Sequence, residues 1–176
     1  MRPAPRSRAP FLTVVRDSNF RTLWYAGTLT EVSRRLELLV LSWYILQSTD
    51  SPFQLALVLV FFNLPRTMFS LFTGALADRF NRQHLLLAGQ VINTVVAAGI
   101  LWLIGSDGMA AKYAFIAVFI QGTTRSLEDP VRRTAIFDIV GERRLVNAMS
   151  LEVISFTIGR VVGPILGGLL ITLSDF

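Results

Sequence analysis

The chain contains no cysteine and a single histidine, His84. The first absence excludes disulfide frameworks, zinc clusters and thiol catalysis, and the second leaves too few imidazoles for a metal site. Charge is scarce as well, at 16% of residues against 52% hydrophobic ones. Average soluble domains carry about a quarter of their residues as charges, so a water-exposed fold is excluded in favour of a membrane protein. A Gly-rich phosphate loop, metal-ligand spacing and a Ser/His/Asp arrangement are also missing, which leaves no cofactor and nothing on which to rest an enzyme.

What is present is a series of apolar runs separated by short polar turns. Residues 1–19 are rich in Pro and Arg and read as a disordered cytoplasmic tail. The arginines before the first run resemble a signal peptide, but the run from Trp24 to Leu46 is too long for one and more spans follow. Five spans are expected, near 20–47, 53–73, 85–104, 112–127 and 148–173. Asn63, Pro65 and Arg66 are expected to break the second, and Pro130 lies just past the end of the fourth. The segment 131–147, with Arg132, Arg133, Arg143 and Arg144, reads as an interfacial helix and loop.

The net charge of +5 is almost all arginine, and its placement matters more than its size. Arg2, Arg6, Arg8, Arg16 and Arg21, then Arg79 and Arg82, then the four of 131–147 fall in alternate loops, against Lys112 alone in the others. Short loops rich in arginine stay inside, so the N-terminus is expected in the cytoplasm, and the partner of this charge is a bilayer rather than nucleic acid.

The first span carries Glu31, Arg34, Arg35 and Glu37, where one lone charge at mid-membrane costs about 2.5 to 3.5 kcal/mol. Glu31, Arg34 and Arg35 lie three and four apart on one helical face and Arg34 is three from Glu37, so they can neutralise one another on an inward stripe. The third span, 85–104, has no charge and is suited to face lipid.

The stretch Gly74-Ala-Leu-Ala-Asp78-Arg79-Phe-Asn81-Arg82 resembles the signature between the second and third helices of the major facilitator superfamily, G-x-L-a-D-r-x-G-r-k. Asn81 replaces the usual glycine, a mild change for a position that favours positive φ, and Gln83 replaces a basic residue. The resemblance implies that Asp78, Arg79 and Arg82 form a cytoplasmic gating latch with neighbouring helix ends. Gly159-Arg160-Val-Val-Gly163-Pro164-Ile-Leu-Gly167-Gly168 resembles the fifth-helix motif of the exporters in that superfamily. Its four-residue spacing also makes a small-residue groove for close helix approach, whether or not it marks an exporter.

Gln121 and Gly122 fit the fourth-helix motif of proton-coupled drug antiporters, but Val118 stands at its arginine position and Arg125 lies about two turns on. Glu31, Arg34, Gln121 and Arg125 are therefore the candidate substrate and proton contacts, with a purely structural ion-pair cluster as the competing reading of the first two. Arg66 and Arg160 suit helix capping or snorkelling, and His84 an interface position.

The resemblance covers about 20–171 and is nearest to the enterobactin-exporter-like and macrolide-efflux-like branch. It implies an all-α membrane protein, five transmembrane helices of a six-helix half-bundle, in a multi-pass inner or plasma membrane transporter. The expected activity is efflux of a small amphipathic molecule by proton-coupled alternating access, with the C-terminal half of the transporter supplied by a continuation of the chain. The alternative is a non-transporting truncated module that docks on another transporter through the groove from Gly159 to Gly167.

Overall fold

The computed structural model describes residues 14–79, 81–106 and 108–173, the side chains of residues 70–79 excepted. Among them run five long α-helices and no strand: α1 Ser18–Thr49, α2 Pro52–Arg79, α3 Arg82–Gly105, α4 Ala111–Val140 and α5 Leu145–Leu173. A single 3-10 turn, Glu142–Arg144, joins the last two.

Local chemistry fixes the helix ends. The Asp17 carboxylate accepts from the N–H groups of Asn19 and Phe20 and starts α1. At its other end Asp50 turns left-handed, φ 47°, and its N–H returns to the Leu46 carbonyl. Asn81 corrects an expectation. It has φ −63° rather than positive φ, and it is the N-cap of α3, with its side-chain oxygen accepting from Gln83 N–H. The substitution of Asn for Gly thus works through a capping oxygen, which glycine lacks.

Neither expected proline break ends a helix. Pro65 is fully buried inside α2, where α4 approaches so closely that a Cβ on Gly122 would collide with the Phe62 carbonyl. Pro130 lies inside α4, which runs ten residues past it. A proline removes one backbone donor, and burial beyond it compensates. Val131, Ile136 and Val140 pack with Val14, Phe20, Ala148 and Leu151 in one core at this end of the bundle.

The second core, around Leu38, Leu41, Ile45, Val58, Phe62, Ala117 and Val118, holds α1, α2 and α4 together further along, with Ile100 from α3. Helix α4 packs against α2 and α3 and touches α1, while α1 lies along α5. The outside is apolar: Leu59, Met68, Val91, Val95, Leu101, Trp102 and Ile165 are all exposed. A bundle with oily outer faces and polar groups turned inward is built for lipid. Pro52–Phe69, Arg82–Gly105 and Glu142–Leu173 are long and apolar enough to cross a membrane.

Candidate functional site

Along their middle stretches, helices α1 and α4 direct several charges inward. Arg34, 5% exposed, sits between two carboxylates from different helices: Nη1 donates to Glu31 at 3.2 Å and Nη2 to Glu128 at 2.6 Å. Arg125 follows one turn before Asp129, at 3.5 Å from Glu31 and 3.7 Å from Asp129, with its guanidinium near the rings of Phe62 and Phe156. Two arginines thus stand among three carboxylates across the α1/α4 contact. Charges that would be costly singly are neutralised as a network.

Of the sequence candidates, Glu31, Arg34 and Arg125 are brought together, and the pair expected between Arg34 and Glu37 does not form. The Arg34 guanidinium is turned back along α1 to Glu31 and across to Glu128, so Glu37 is left at the edge of a cavity. Gln121, 2% exposed, lines that cavity with both amide atoms lacking a hydrogen-bond partner. The cavity, about 290 Å³, lies between α1, α3 and α4, with Thr30, Ser33, Gln90 and Asn93 among its walls. Gln90 donates to Thr30 at 3.0 Å, and Thr124 donates to Asn93 at 2.8 Å, tying α3 to both charged helices.

A second ionic site clamps the other core. Arg132 on α4 binds Glu152 on α5 through Nε at 2.5 Å and Nη2 at 3.2 Å, and Nη2 also reaches the Leu23 carbonyl of α1 at 3.2 Å. Trp24 Nε1 donates to the Leu151 carbonyl at 2.9 Å beside it, and Thr28 and Ser155 hydroxyls meet at 2.7 Å. No periodicity in the sequence joins Arg132 to Glu152, twenty residues on and in the next long helix, or Glu128 to Arg34, 94 residues away. Glycines were the available signal: Gly27 gives room for the Arg132 side chain and Gly89 for the Glu128 carboxylate.

Of the gating motif, Gly74, Asp78 and Arg79 have side chains outside the described residues. Arg82 forms an ion pair with Asp138 near the end of α4, with both groups well exposed. The fifth-helix groove receives α1 from within the chain. A Cβ on Gly159 would stand 2.8 Å from the Glu31 Cβ, one on Gly163 would meet Arg35 and the Val32 carbonyl, and one on Gly167 would meet Leu39. Gly168 faces open space and Pro164 lies inside the unbroken helix. Arg66, His84 and Arg160 are exposed.

Lipid-suited outer faces around an interior of paired charges define a helical membrane protein. The chain belongs to the transmembrane secretion effector family of the major facilitator superfamily, whose model matches residues 8–175. It is 25% identical over 156 residues to an uncharacterized MFS-type transporter, YfiS, of Bacillus subtilis, covering 85% of this chain and 35% of that one. A probable transport protein of Haemophilus influenzae, HsrA, is 28% identical over 68% of this chain and 25% of its own length. The staphyloferrin A transporter of Staphylococcus aureus is 22% identical over 74% of this chain and 33% of its own. The chain thus spans between a quarter and about a third of the relatives it matches.

Proposed function

We propose that the chain forms the N-terminal helices of a secondary active exporter working by alternating access, with a second helical half completing the central site. All five helices cross the inner or plasma membrane in this reading, with the N-terminus in the cytoplasm. The observation that carries it is the Arg34 bridge between Glu31 of α1 and Glu128 of α4. Pairing of this kind makes two charge-bearing helices acceptable to a bilayer. It also supplies contacts that a transition between two packed states can exchange.

Glu31, Arg34, Gln121 and Arg125 are then the groups that meet substrate or protons. Asp78, Arg79 and Arg82 form the cytoplasmic latch, and the pair of Arg82 with Asp138 supports their placement at that end. The secretion-effector family and the staphyloferrin A transporter among its relatives favour outward movement of a small amphipathic molecule. Proton entry is the driving force in this proposal.

The test is efflux of an amphipathic dye from vesicles holding the complete transporter, with and without a proton gradient. Gradient-driven efflux that fails in the Glu31→Gln variant is expected, and none from this chain alone. Efflux indifferent to collapse of the gradient removes the proton coupling, and no efflux under any gradient removes the exporter.

A further inference from the structure

Glu37, half-buried on α1, is the acid that the ionic network leaves out. Its Oε1 is enclosed without a hydrogen-bond partner, and no ion pair joins it to a cation among the described residues. Two cavities meet at this side chain. The polar one of about 290 Å³ lies toward the arginine-rich end, with Gln90, Asn93 and Gln121 in its walls. The apolar one, about 440 Å³, extends past Leu41, Trp43 and Ile100 to Tyr44 and Met109 at the opposite end. Ser33, Glu37 and Ala97 are common to both.

We propose that Glu37 is the proton-carrying carboxyl of this bundle, placed where the two cavities join and beside the buried amide of Gln121. The proposal rests on the transporter reading and moves the proton site within it from Glu31 to Glu37. Glu31 and Glu128 are held by Arg34, and Glu31 also by Arg125, so protonating either one strands a buried guanidinium. Protonating Glu37 strands nothing.

The step is simple to balance. A hydronium ion in the polar cavity gives its proton to a Glu37 oxygen and leaves as water, and the carboxylate becomes a neutral acid. Its new O–H points to the Gln121 amide beside it, so the neutral acid keeps a polar partner there. Release reverses the transfer to water on the other side. The charged groups facing Glu37 are few: Arg34 acts on it from one turn earlier on α1, α3 contributes only the neutral Gln90 and Asn93, and α4 contributes Gln121, with Arg125 a turn beyond. From α5 only Leu170 and Ile171 line the adjoining cavity.

The test reads protonation directly. The chain is reconstituted in lipid, and infrared difference spectra are recorded between acidic and neutral buffer. A buried carboxylic acid C=O band is expected in the unaltered chain. It should be lost in Glu37→Gln, displaced in Glu37→Asp and in Gln121→Leu, and unchanged in Glu31→Gln. A band that survives Glu37→Gln, or that disappears with Glu31→Gln, overturns the proposal, as does the absence of any such band. If Glu37→Gln fails to fold, the position of the band in Glu37→Asp decides alone. Dye efflux by the complete transporter is scored separately: failure there sinks the exporter reading while the band assignment stands.

Discussion

The guanidinium of Arg132 lies across Gly27, in the space where any other residue would carry its Cβ. That passage lets one side chain of α4 reach both Glu152 on α5 and the Leu23 carbonyl on α1. The glycine is therefore explained by a side chain more than a hundred positions away. Gly27→Ala should lower the unfolding midpoint in detergent by the equivalent of about 1–3 kcal/mol, the cost of overpacking. The same change made on an Arg132→Ala background should cost little. Equal losses on both backgrounds would show that Gly27 and Arg132 are uncoupled.

Arg34→Met leaves Glu128 without its cation and Glu31 with only the longer contact to Arg125, and breaking a buried ionic group in this way costs about 3–5 kcal/mol. A marked loss of folded protein is expected, with substantial recovery when Glu31→Gln and Glu128→Gln are added. Arg34→Lys should not restore stability, since its single ammonium cannot send separate nitrogens to the two acids as Nη1 and Nη2 do. Full stability of Arg34→Lys would mean that only the charge matters at this point.

How much of this was legible in the sequence depends on the range of each interaction. The pairing of Arg34 with Glu31 follows from a spacing of three on one helix, and the all-helical membrane class follows from the apolar runs. The bond from Arg34 to Glu128 joins residues 94 apart and depends on how α1 and α4 cross, which periodicity does not encode. Pro130 misled for a related reason. Its local effect is to end helices, but Val131, Ile136 and Val140 gain a core from α5 and the N-terminal end of the chain, and that burial prevails. The small-residue groove was visible in the glycine spacing, whereas its occupant, α1, was not.

The fifth-helix glycines separate by neighbour. Gly163→Ala puts a methyl against the Arg35 Cβ and the Val32 carbonyl, groups that move only with the α1 backbone, and should cost about 1–3 kcal/mol. Gly168→Ala enters open space and should be neutral or slightly stabilising, because alanine favours helix by about 1 kcal/mol over glycine. Thermal unfolding of the two variants side by side gives the answer. If both lose stability equally, the α1/α5 contact is not what the spacing serves.

The absence of cysteine makes the topology directly testable, since any single cysteine introduced is the only thiol. Arg82 and Lys112 lie at opposite ends of the bundle, at the start of α3 and the start of α4. Arg82→Cys removes the exposed pair with Asp138, but pairs so exposed contribute about 0–1 kcal/mol, so the fold should survive the change. Lys112 is exposed, with its ammonium over the neighbouring Tyr113 ring, so Lys112→Cys should be equally mild. With arginine-bearing turns held inside, a membrane-impermeant thiol reagent added to intact cells should modify Lys112→Cys and spare Arg82→Cys until the cells are opened. The reverse pattern would invert the orientation and place the Arg82–Asp138 latch on the outer surface, where it could not act as a cytoplasmic gate. Modification of both positions in intact cells would mean that α3 does not cross the bilayer, in spite of being the least charged helix of the bundle.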